Sequence, residues 1–244
     1  MLAVSCRDVE KRFHFYDHRP KSLRGAFIRL LRLDRAEQRE PAFVLRRFNL
    51  SVEKGEAVAL IGPNGSGKST VLRLVAGIYD PVAGVVETRG RVAAVIDLGA
   101  GFHPELTGAE NVHLYGAVMG LSRAQVRERF AEIIEFAEVE EFVDVPVKYY
   151  SSGMQARLAF AVTVCVEPDI LLVDEVLAVG DQAFRERCLD RLRSFSARGG
   201  TLVVVSHDLD TISEICSRAV WLENGLVRRD GPIAEVCHEY REKR

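Results

Sequence analysis

The run AVALIGPNGSGKSTVLRLVAG, from Ala57 to Gly77, restricts this chain more than any other stretch. Five apolar residues read as a buried strand, and VLRLVAG carries a helical pattern. Between them Gly62, Pro63, Asn64, Gly65, Ser66, Gly67, Lys68, Ser69 and Thr70 match G-x-x-x-x-G-K-[ST] in the strand–loop–helix setting that gives the motif its meaning. Glycines let backbone N–H groups close on an anion, and the helix start adds partial positive charge. Lys68 is placed to reach β- and γ-phosphates, and the Ser69 hydroxyl to ligate Mg²⁺. The pattern implies a nucleoside triphosphate site on an α/β scaffold.

Three further apolar runs read as buried strands: RVAAVID (91–97), ILLVD (170–174) and TLVVVS (201–206). Their near-continuous hydrophobicity suits a largely parallel sheet covered on both faces. RAVWLENGLVRRDG reads as a hairpin turning at Asn224-Gly225. DILLVDEV ends a buried strand in two carboxylates, a costly arrangement unless they meet a cation or a polarised water. Asp174 is placed to hold Mg²⁺, and Glu175 to orient and deprotonate an attacking water. VVVSHD ends the next strand at His207, on the phosphate-loop side of such a sheet, where it can meet the γ-phosphate and the water. Helical sequence interrupts the strands at about 105–165. There Thr107/Glu110, Ser122/Gln125 and Ser152/Gln155 all have the spacing of a capping box.

Composition removes several classes of function. Lys+Arg 33 against Asp+Glu 35 argues against a general nucleic-acid binder. No apolar run approaches the roughly 18–20 residues of a membrane span, and the N-terminus lacks the layout of a signal peptide. Cys6, Cys165, Cys188, Cys216 and Cys237 form no CxxC pair and read as buried, reduced thiols. One segment stands out: His18 to Arg39 carries seven Arg or Lys and only Asp34 and Glu37 as acids. Within it Leu23, Phe27, Leu30 and Leu31 fall at helical spacing, with Arg24, Arg29 and Arg32 elsewhere on the turn. Two readings stand, a surface helix with a solvated basic face and a helix lying at a membrane interface.

Taken together, the phosphate loop, the acidic strand end, His207 and the sequence YSSGM resemble the ATP-binding-cassette (ABC) ATPases over nearly the whole chain. That resemblance implies a P-loop NTPase of ABC type across 1–244: a mainly parallel sheet core, an antiparallel β subdomain and an inserted helical subdomain. YSSGM stands where the family carries LSGGQ, departing from it at Ser152 and Met154. Ser151, Ser152 and Gly153 would then meet the γ-phosphate of ATP held by a second copy. By the same resemblance Phe13 stacks on adenine, and AVGD (Ala178 to Asp181) is the loop crossing the dimer interface. The family's glutamine after RVAAVI is missing; Asp97 or Leu98 stands there, and Asp97 is a candidate to assist the metal.

LGAGFHPELTGAENV, YSSGMQARLAF and DEVLAVGD resemble most closely the ATPase subunits that export bacterial polysaccharides. The insertion at about 14–45 is similar to that of the O-antigen and teichoic-acid branch. The resemblance implies ATP and Mg²⁺, a paired second copy, an integral-membrane permease, a lipid-linked polysaccharide and no nucleic acid. It places the chain at the cytoplasmic face of the bacterial inner membrane. It also implies that the C-terminal carbohydrate-binding domain of many O-antigen ATPases is absent or removed. Rival expectations are export of teichoic acid, capsule, or another lipid or small molecule, and a soluble ABC ATPase acting on DNA or ribosomes.

Overall fold

A computed structural model describes residues 1–13, 42–96, 101–174 and 181–243. The basic segment, Asp97 and Glu175 therefore lie outside the described residues, as do Ala178, Val179 and Gly180.

Strands β1 (Leu2–Phe13), β2 (Ala42–Glu53) and β4 (Ala83–Thr88) form an antiparallel sheet in the order β2-β1-β4. β2 begins at Ala42, inside the stretch of about 14–45 expected as an insertion. The second sheet has the order β5-β6-β7-β3-β8-β9, built from β3 (Ala57–Ile61), β5 (Val92–Val95), β6 (Ile170–Asp174), β7 (Thr201–Val205), β8 (Arg218–Glu223) and β9 (Leu226–Pro232). Its first five strands are parallel, and β9 closes the edge antiparallel to β8.

The unbroken hydrophobicity of the central strands follows from two cores, one on each face. Ala57, Ala59, Ile61, Leu171, Val173, Leu202 and Val204 face one core, which also takes in the helical block. Val58, Leu60, Ile170, Leu172, Val203 and Val205 face the other, beneath the antiparallel sheet and helix α1 (Lys68–Val75). With side chains alternating along a strand, every residue must be apolar when both faces are covered. Two strands are shorter than the sequence suggests. Arg91 stays outside β5, its amide donating to the Asp169 carboxylate at 2.8 Å, and Ser206 leaves β7 to accept the Asp208 amide at 3.0 Å. At the hairpin, Asn224 and Gly225 have φ of 52° and 77°, the double left-handed pattern of a tight I′-like turn.

The helical block comprises α2 (Gly108–Val118), α3 (Arg123–Ala137), two 3₁₀ turns (Glu140–Phe142 and Val147–Tyr149) and α4 (Ser152–Cys165). Capping boxes form at Thr107/Glu110 and Ser122/Gln125. The third does not form. Ser151, not Ser152, is the N-cap of α4, accepting the Met154 amide at 3.2 Å. Gln155 is diverted, its side-chain amide donating to the Val147 carbonyl of the preceding 3₁₀ turn at 3.1 Å. Helices α5 (Gln182–Ala197), α6 (Leu209–Ile215) and α7 (Ile233–Glu242) complete the chain.

All five cysteines are free and buried. Burial pushes the thiols of Cys6, Cys165, Cys188 and Cys216 up to about 12. No described helix is long and apolar enough to cross a membrane.

Candidate nucleotide site

Sheet register brings the chemistry together. Asp174 pairs with Val205, Val205 with Leu60, and Leu60 with Val220, so β6, β7, β3 and β8 end in one row. Asp174 closes β6 itself, buried at 9% exposure. His207 follows two residues after Val205, and the phosphate loop begins two residues after Leu60. This is the crevice at the carboxyl ends of parallel strands where α/β proteins place ligands.

The loop is shaped by what surrounds it. Gly62 has a φ of 145°, and a Cβ there would fall 2.1 Å from the Leu222 carbonyl oxygen of β8. At Gly67, with φ 109°, a Cβ would lie 2.8 Å from the Leu45 side chain. Gly67 is also the N-cap of α1 in a left-handed conformation and offers no side-chain cap. The first amides of α1 are thus left to an anion or to water. Lys68 is buried, and its ammonium donates to the carbonyls of Gly62 at 2.9 Å and Pro63 at 3.0 Å, inside the loop's concavity. The Ser66 hydroxyl is buried with no hydrogen-bond partner among the described residues. From behind, the Gly225 amide donates to the Ser66 carbonyl at 3.2 Å, while the Gly225 carbonyl accepts from Arg46 at 3.0 Å. Ser69 is half-buried and Thr70 buried.

Pro63, Asn64 and His207 line a common cavity of about 370 Å³ together with Trp221, Glu223, Tyr240 and Lys243. Ser151, Ser152 and Gly153 are not among its walls; they begin α4 elsewhere on the molecule, the two serines exposed. Among the described residues, a Cβ at Gly153 would meet only the Ser151 hydroxyl, at 3.8 Å. Phe13, at the end of β1, packs edge-on against Tyr79 with centroids 5.5 Å apart, and the Lys11 ammonium lies 5.5 Å and 5.0 Å from the two rings. Asp181 is the N-cap of α5. One oxygen accepts the Phe184 amide at 2.9 Å and the other the Arg157 guanidinium at 2.7 Å, and these contacts hold its carboxyl below the usual range, the amide contributing most.

Sequence reasoning missed Arg157. It bonds Glu138 as well as Asp181 and stacks 4.9 Å from the Phe184 ring, tying α4 to α3 and α5. Its signal was present, since Arg157 is the only charged side chain in α4. Tyr79 was also missed, and nothing local distinguishes it.

The ABC transporter family model matches residues 45–178. The O-antigen export system ATP-binding protein RfbB of Klebsiella pneumoniae is 44% identical over 98% of this chain and 97% of that protein. The chain belongs to the ABC transporter family, as an ATP-hydrolysing subunit. The RfbB protein of Myxococcus xanthus is 46% identical over 99% of the chain, which spans 56% of that longer relative. Among solved structures, a dimeric ATP-binding cassette in a post-hydrolysis state with ADP and Pi is similar, with a TM-score of 0.74 and 25% identity over 94% of this chain and 98% of that one. The fold described above is thus the ABC-type P-loop NTPase fold, with its parallel core, antiparallel sheet and helical block.

Proposed function

We propose that this chain drives export of a lipid-linked polysaccharide of O-antigen type, as the peripheral ATPase at the cytoplasmic face of the inner membrane. The observation that carries this reading is similarity to O-antigen export ATPases along nearly the whole chain, helical block included. Two copies would work with a separate integral-membrane permease. The basic segment within 14–45 would sit on the membrane-facing side of the single nucleotide-binding domain, its arginines toward lipid phosphates.

Within each copy, the amides of the 62–70 loop and Lys68 hold the triphosphate. Ser69 and Asp174 are the residues that would hold Mg²⁺, and the buried Ser66 hydroxyl, with no hydrogen-bond partner among the described residues, fits a loop made to receive further polar groups. When bound there, Mg²⁺ would supply charge neutralisation to the transferred phosphoryl group. Glu175 takes a proton from the attacking water, His207 contacts the γ-phosphate, and Phe13 carries the adenine. Asp97 assists the metal.

The second copy supplies Ser151, Ser152 and Gly153. Glycine is not the residue a helix start favours for its own sake, and no described residue would crowd a side chain at position 153. A glycine of that kind serves a close approach from outside. Asp181 acts at the same interface.

Purified protein with ATP and Mg²⁺ tests the chemistry. Glu175→Gln should keep ATP binding while turnover falls by about 10²-fold or more; normal turnover would remove Glu175 as the base. Expression in a strain lacking its own O-antigen ATPase, together with the cognate permease, tests the cargo. Surface polymer should return with the wild-type chain and not with Glu175→Gln. Failure of the wild-type chain to restore it would refute this cargo.

A further inference from the structure

Arg185 lies one turn into α5, and its guanidinium donates to the Asp208 carboxylate at 2.7 Å. Asp208 follows His207 directly and is the N-cap of α6. It accepts the Thr211 amide at 3.1 Å and the Thr211 hydroxyl at 2.7 Å, and its own amide donates to Ser206 at 3.0 Å. The residues on either side of His207 are thus bonded to each other, and one of them is bonded to α5. Helix α5 in turn starts at Asp181, where the chain returns from the segment carrying Glu175, and Arg157 ties that start to α4.

The Arg185–Asp208 pair is too exposed, at 41% and 40%, to matter much for stability. Exposed pairs of this kind contribute little to folding. A guanidinium on a carboxylate is nevertheless directional, and groups at a reacting centre must be held within about 0.5 Å. We propose that Arg185 is a positioning residue, which sets His207 relative to the start of α5. This rests on the reading of His207 as a γ-phosphate contact.

Steady-state ATP hydrolysis by the full chain tests it, with thermal midpoints measured alongside. Arg185→Ala should lower kcat about tenfold with KM for ATP and the thermal midpoint nearly unchanged, and Arg185→Lys should recover part of the loss. Asp208→Asn keeps a capping side chain but removes the charge, and should match Arg185→Ala. In a His207→Ala background, Arg185→Ala should cost nothing further. An undiminished kcat in Arg185→Ala, or an equal loss with and without His207, would overturn the inference while leaving the His207 reading intact. Normal turnover in His207→Ala alone would overturn both.

Discussion

Two of the described helix starts, those of α1 and α4, carry glycine for different reasons. At α1, Gly62 and Gly67 stand where a side chain would collide with Leu222 and Leu45 of the same chain. At α4, a side chain at Gly153 would collide with no described residue and would only touch the hydroxyl of a conventional serine cap. The first is a loop completed by its own protomer. Under the function proposed above, the second would be half a site, an exposed helix start that meets an anion brought by another molecule.

The largest effect should come from closing the first start. Gly62→Ala places a Cβ on the Leu222 carbonyl in a backbone region that alanine avoids, and should cost at least about 2 kcal/mol. Urea denaturation together with fluorescent-ATP binding would read it; wild-type stability would mean that the loop is not held against β8.

Next in size is Gly153→Asp. A carboxylate in the first turn of a helix does not harm the helix, so the protomer should fold and bind ATP as before. Set against the triphosphate of a second copy, it should abolish the ATP-dependent dimer of the Glu175→Gln protein on size-exclusion chromatography. An undiminished dimer would place this helix start outside the interface and erase the contrast.

Smallest is the cap itself. Ser151→Ala should lower stability by about 1 kcal/mol and Ser151→Gly by only a few tenths. A hydroxyl acting on phosphate in the other copy predicts equal losses of ATP turnover in the two variants. Losses that track stability instead would reduce Ser151 to a cap.

Much of this contrast was legible in the sequence, though not all of its physics. The bounds of ILLVD and AVALI are those read from the chain, because a strand covered on both faces stays apolar up to its end, where Asp174 closes β6. The Ser152/Gln155 box was misread because the spacing rule sees only the helix. It does not see the Val147 carbonyl that competes for Gln155. Glycines at 62 and 67 are visible as letters, but the collision with Leu222 that demands one of them depends on β3 and β8 lying side by side. Arg185 was invisible for a similar reason: its partner Asp208 belongs to another helix, and no local pattern joins them.

The Asn224–Gly225 turn has a consequence for binding rates and affinity. Its amide and carbonyl clamp Ser66 on one side and Arg46 on the other, so the phosphate loop leans on a hairpin far away in sequence. A loop braced in this way meets the cost of ordering when the chain folds, and an arriving nucleotide finds a receptor already in shape. Substitutions in this hairpin that touch no phosphate will therefore act on affinity by loosening the empty loop. Their signature is entropic, in that the bound state looks unchanged and the free state becomes more varied.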